Sequence, residues 1–133
     1  MLTSAQLVRV VTFAVAYWFA AAMFIKATPH AGVFGGGGGV LTFLLMFPTA
    51  WLSVIALRRI AALRAGQIFS GMSLGTGAAA LCDGIALTWT PELYGGASPQ
   101  TLLGSAGILW GVGTLLLTAY VMEIREWRRS VSQ

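Results

Sequence analysis

The sequence predicts an all-α integral membrane protein, a four-helix transmembrane bundle that uses residues 1–133 as a single domain. Three observations lead there. The chain is 57% hydrophobic and only 9% charged, whereas soluble domains carry roughly 45–50% apolar and about 25% charged residues. Its apolar residues fall into four runs, each long enough to cross hydrocarbon as a helix. Its basic residues gather at the ends of those runs and mostly on one side.

The first run spans about Leu7 to Ile25 and stops at Lys26. At 1.5 Å per residue it is close to the ~30 Å thickness of a bilayer core. Arg9 lies in its first turn, where a long side chain snorkels to the headgroups. The run is longer than a signal-peptide core, and no small-x-small cleavage pattern follows it, so it reads as a retained helix. Thr28, Pro29, His30 and the run Gly35–Gly39 come next. Five glycines in succession oppose helix formation through backbone entropy, which predicts a flexible loop.

The second run covers about Val40 to Leu57 and ends at Arg58 and Arg59. Pro48 removes one helical hydrogen bond in mid-span, an omission that membrane helices tolerate when a neighbour re-satisfies the backbone. A short connection with Arg64 leads to the third run, about Ile68 to Thr90, which is the least apolar and carries Asp83. Pro91, Glu92, Gly95, Gly96 and Pro99 make a turn region. The fourth run, about Leu102 to Met122, leads into a charged tail with Glu123, Arg125, Glu126, Arg128 and Arg129.

Alternation of the four spans places Arg9, Arg58, Arg59, Arg64, Arg125, Arg128 and Arg129 on one side and Lys26 alone on the other. The positive-inside rule then predicts a multi-pass protein with both termini and the arginine-rich connection in the cytoplasm. Trp127 suits the inner interface, Trp89 and Tyr94 the outer one. The net charge of +4 and pI near 10 come from these end clusters. No basic stripe runs along a polar helix, so nucleic acid is excluded as a partner and the lipid bilayer is the expected one.

Asp83 is the one acid inside a span. Placing an aspartate near the bilayer centre costs about 2.5–3.5 kcal/mol on insertion scales, so it is expected to face protein or water. No lysine or arginine lies at comparable depth. Helical spacing puts Thr76, Ala79 and Ala80 on the same side of the third helix, and Tyr17 and Thr114 are partners of suitable depth from other spans. Asp83, Thr76 and Tyr17 therefore form the candidate intramembrane polar site. It reads either as a hydrogen-bonded anchor between helices, the favoured reading, or as a proton or cation site.

Gly71 and Gly75, and likewise Gly107 and Gly111, form two G-x-x-x-G patterns, which let helix backbones approach closely. They serve homodimerisation or packing of the third and fourth helices against each other; the second reading is favoured because the motifs lie in consecutive helices. Trp18, Trp51 and Trp110 sit near mid-membrane depth, as residues that fill the bundle or face lipid or as the lining of a pocket for a quinone, lipid or hydrophobic amine. A single cysteine, Cys82, excludes an intramolecular disulfide. His30 alone makes no metal site, and the glycine run lacks the Gly-Lys-Ser/Thr ending of a phosphate loop. With no nucleophile–base pair and no ligand cluster in view, no cofactor, no metal and no enzymatic activity are expected.

The stretch from Leu81 through Asp83, Pro91 and Tyr94 to Gly95, with Ile108-Leu-Trp110-Gly111, resembles a family of small four-span bacterial membrane proteins of unknown function. An aspartate, a short apolar run and a Pro-x-x-Tyr/Phe turn join helices three and four in that family. The resemblance covers about a third of the chain, implies the bacterial cytoplasmic (inner) membrane and marks Asp83, Pro91, Tyr94 and Trp110 without giving them a chemical role. The sequence departs from small multidrug resistance transporters, having no acid in its first helix, and from fluoride channels, having no asparagine. The expected function is that of a non-enzymatic accessory or structural membrane protein, alone, as a homodimer or with a membrane-protein partner. A small proton-linked transporter or channel centred on Asp83 is the alternative.

Overall fold

The computed structural model describes residues 1–28 and 32–132; the expected loop residues Pro29 and His30 lie outside the described residues. The chain forms α1 (Ser4–Ala27), α2 (Gly36–Ile60), α3 (Ile68–Trp89), a 3-10 turn (Pro91–Tyr94) and α4 (Pro99–Val131). All four α-helices are long and apolar enough to cross a membrane. No strand is found among the described residues.

Local chemistry sets the helix boundaries. Thr3 caps α1 by accepting from the Gln6 amide at 3.3 Å while the Gln6 side chain accepts from the Thr3 amide at 2.9 Å, so two orphan donors are satisfied reciprocally. Ser98 caps α4, with Pro99 in the first helical turn, where its missing N–H is no loss. Helix α2 ends in a Schellman motif: Leu63 N–H donates to Arg58 O and Ala62 N–H to Arg59 O. Ala62 adopts φ +49° there, a position that usually holds glycine.

Two segments differ from expectation. Gly36–Gly39 form the first turn of α2 instead of a flexible loop. The preceding residues fold back onto this turn, so a Cβ on Gly39 would lie 3.0 Å from the Phe34 backbone and one on Gly38 would collide with the Gly32 carbonyl. The glycines thus permit backbone to approach backbone, and the turn seats Phe34, only 5% exposed, in the core. The charged tail is also helical, since α4 runs unbroken to Val131. Its 33 residues make a rod of about 50 Å, well beyond the ~30 Å of hydrocarbon.

The order of the helices around the bundle is not their order in sequence. Helix α1 packs along α3, α3 along α4 and α4 along α2, while α1 and α2 scarcely touch. Three of the four motif glycines receive neighbours within the chain, but the two motifs do not meet each other as expected. Gly75 receives α1, with Val10 Cγ1 3.4 Å and Ala14 Cβ 3.5 Å from a Cβ built there, and Gly71 receives Leu63. Gly107 receives the Phe34 ring at 3.0 Å, whereas nothing lies within 4 Å of a Cβ on Gly111. Pro48 stays inside one continuous α2. Trp110 Nε1 donates to Phe43 O at 3.2 Å, beside the Leu44 carbonyl that Pro48 leaves without its helical donor.

Two apolar clusters close the bundle. One, around Val10, Val54, Leu57, Ile68 and Met72, lies toward the end that carries the termini; the other joins Ala22, Ile25, Phe34, Ala86 and Tyr94 at the opposite, distal end. Polar ties lock the termini end. Gln6 Nε2 donates to Ala62 O at 2.9 Å and to Gln67 Oε1 at 3.0 Å, and Gln67 Nε2 donates to Met1 O at 2.7 Å. Glu123 of α4 accepts from the Phe69 amide at 2.6 Å. Its carboxylate caps α3 from another helix, where the helix dipole favours negative charge. Arg58 pairs with Glu126, and the Arg125 guanidinium lies 5.5 Å from the centroid of Trp51.

Glu123→Ala should lower stability by about 1 kcal/mol, the worth of a helix cap, and Glu123→Gln by less; thermal unfolding in detergent micelles measures both. Gly75→Ile should cost about 1–3 kcal/mol by overpacking the α1–α3 contact, whereas Gly111→Ala, at an open position, should cost far less in the same assay.

Candidate intramembrane site around Asp83

Asp83 lies on α3, six residues before its final residue Trp89, or ~9 Å from the distal end at helical rise. What reaches it is set by the turn that follows. Thr90 leaves helical geometry at φ −139°, Pro91 opens the 3-10 turn, and Gly95 and Gly96 take φ +98° and +90°. Gly96 N–H donates back to Pro91 O at 2.9 Å and closes the turn. The effect is to send Tyr94 inward, where it is 2% exposed.

There the Tyr94 hydroxyl donates to Asp83 Oδ1 and accepts from Trp18 Nε1 at 2.9 Å. One hydroxyl thereby uses its donor on the acid and an acceptor position on the indole. Three parts of the chain, α1, α3 and the turn before α4, meet in this relay. Burial pushes the Tyr94 phenol well above its ordinary pKa, and the neighbouring Asp83 adds to the shift.

Asp83 also lines a cavity of about 160 Å³ between the two apolar clusters, walled by side chains of all four helices. Tyr17 and Thr76 line the same space, so the structure brings the three candidate residues to one cavity. The hydrogen-bond partner of Asp83 is nevertheless Tyr94, rather than Tyr17 or Thr114. Tyr17 stacks on Phe13 with 6.1 Å between centroids, and Thr114 donates to Gly111 O at 2.9 Å within its own helix. Thr76 is 7% exposed, and its hydroxyl has no hydrogen-bond partner among the described residues.

Of the three mid-membrane tryptophans only Trp18 lies at this site. Trp110 packs edge-on against Phe43 and Phe47, and Trp51 meets Arg125 outside it. Among the described residues no three His, Cys, Asp or Glu side chains come together as a metal site. Toward the termini the cavity ends on Leu57 and Met72, part of an apolar plug. The arrangement offers one acidic acceptor near the distal end, one unpartnered hydroxyl deeper in, and aromatic and aliphatic walls between them.

Asp83 stands inside its span as the sequence predicts, whereas Tyr94, expected at the outer interface, is turned into the bundle. The pointer to its true place was the Pro91…Gly95-Gly96 pattern, since two positive-φ glycines after a proline-led turn reverse the chain. Nothing in the sequence pointed to Glu123 as the cap of a distant helix.

Tyr94→Phe should cost about 1–2 kcal/mol, because it removes a hydrogen bond to a carboxyl group and leaves the Trp18 N–H unpaired. Thermal unfolding of the two proteins gives the difference. The wild type should also lose stability as pH rises above about 10, the phenol's unperturbed value. There the unfolded chain releases a proton that the folded chain keeps, so folding binds more protons and weakens with pH. Tyr94→Phe should lack that component of the alkaline loss.

No protein-family model, no curated protein and no solved structure matches the chain.

Proposed function

We propose that the chain is a non-enzymatic accessory or structural protein of a bacterial cytoplasmic membrane, with both termini in the cytoplasm. The observation that carries this reading is the use made of Asp83: its carboxyl is engaged by Tyr94, which is itself engaged by Trp18. An intramembrane acid held in this way ties helices together, as Glu123 and Gln6 do at the other end. A transport path needs successive polar groups, and below Thr76 the bundle closes on an apolar plug. The resemblance of the Leu81–Gly95 stretch to small four-span bacterial membrane proteins belongs with this reading, and so does the crowding of arginines on the helix ends around the termini.

A proton-linked transporter or channel is the second reading, favoured by the position of Asp83 on the wall of a cavity that all four helices share.

Purification in a gentle detergent separates them. The accessory role should yield a stoichiometric membrane-protein partner; recovery of a monomer or homodimer alone would count against it. A proton-coupling role instead requires that Asp83→Asn change the pH dependence of flux in proteoliposomes. A fluorescent-protein fusion to the C-terminus should fluoresce and a periplasmic phosphatase fusion should be inactive; the reverse pattern would refute the orientation.

A further inference from the structure

We propose that the cavity is a binding site for a protonated lipophilic amine with a single ring-sized apolar body, its ammonium held by Asp83 and a polar atom held by Thr76. The inference goes beyond the accessory role and does not depend on it.

The Thr76 hydroxyl is unusual among the buried hydroxyls of the bundle. Buried hydroxyls need a partner, and helical serines and threonines usually find one in their own preceding turn. Ser53 does so at 2.8 Å and Thr114 at 2.9 Å, and Thr101 bonds to Gly96 O at 2.5 Å. Thr76 has no partner among the described residues although it is as buried as these, at 7% exposure, and it lines the cavity. A buried hydroxyl left unpaired costs about 1–3 kcal/mol, and because the oxygen itself is closed off from the cavity, a ligand atom recovers that cost once the side chain turns its hydroxyl toward the cavity that Thr76 lines.

Charge points the same way. The Tyr94 bond occupies one of about four acceptor positions of a carboxylate, and the group faces the same cavity. The chain brings no lysine or arginine to that depth, so a cation from outside is the missing complement. Trp18 and Tyr17, both on the cavity wall, offer the aromatic surfaces that ammonium groups favour. Asp83 and Thr76 are seven residues apart on α3, which places them on one face ~10 Å from each other.

Size and access agree. The volume of about 160 Å³ is close to that of an apolar cavity of ~150 Å³ that accepts benzene. Helices α1 and α2 leave a side of the bundle unsealed, and Phe24 and Thr49, one from each, are both exposed and line the cavity. An amphiphile in the distal leaflet would enter there without inverting, because Asp83 lies nearer the distal surface and the apolar walls lie deeper.

The test uses the full chain in nanodiscs of zwitterionic lipid, with empty nanodiscs as the partitioning control. The probes are tyramine, phenethylamine and para-ethylphenol, titrated calorimetrically. Both amines should bind saturably and ethylphenol at least about tenfold more weakly, the expected scale of a charge-assisted hydrogen bond. Asp83→Asn should abolish that preference, while Tyr94→Phe, which keeps the carboxyl group, should retain it. Thr76→Val should weaken tyramine about three- to tenfold and leave phenethylamine unchanged, as expected for one lost hydrogen bond. Equal binding of ethylphenol, a preference that survives Asp83→Asn or is lost in Tyr94→Phe, or a Thr76→Val effect equal for both amines would each overturn the proposal. If Asp83→Asn does not fold, the three probes on the wild type and on Tyr94→Phe still decide.

Discussion

In hydrocarbon, one apolar side chain gains little by leaving lipid for another, so a membrane bundle depends on close packing and on polar groups that must find partners inside the protein. This constraint orders the molecule. Its polar ties lie at the two ends: Gln6, Gln67, Glu123, Arg58 and Glu126 around the termini, and Asp83, Tyr94 and Trp18 at the distal end. Small residues admit the close contacts, with Gly75 of α3 against Val10 of α1 and Gly107 of α4 against the Phe34 ring.

The distal tie, like those around the termini, joins segments far apart in sequence. Tyr94 reaches Asp83 across 11 positions and is itself reached by Trp18 across 76. The turn between α3 and α4 therefore acts as a lid on the α1–α3 pair. The same acid that secures this lid also faces the cavity beneath it. Structural anchoring and ligand recognition are then compatible roles of one carboxyl group, since a carboxylate accepts several hydrogen bonds at once.

The open side of the bundle follows from how the helices pair. With α1 committed to α3 and α2 to α4, the two sequence neighbours touch only sparsely. Phe34 packs against Gly107 within the distal cluster. The middle of the bundle is left hollow beside Gly111, where no described residue fills the space.

The number of helices, their apolar character and the singularity of Asp83 were legible in the sequence, because hydropathy over a bilayer's thickness and the cost of burying a charge are local properties. The course of the glycine run was not, since Gly38 and Gly39 are needed for an approach of backbone to backbone that only the folded turn creates. Nor was the extension of α4, whose charged residues read only as a charged tail after the fourth span, whereas Glu123 and Glu126 meet α3 and α2. The sequence by itself determined that four apolar helices carry one acid at depth. Tertiary structure alone decided which helices touch, that Tyr94 and Trp18 answer the acid, and that Thr76 lines a cavity with its buried hydroxyl unpartnered among the described residues, because each of these depends on contacts between residues that no local pattern brings together.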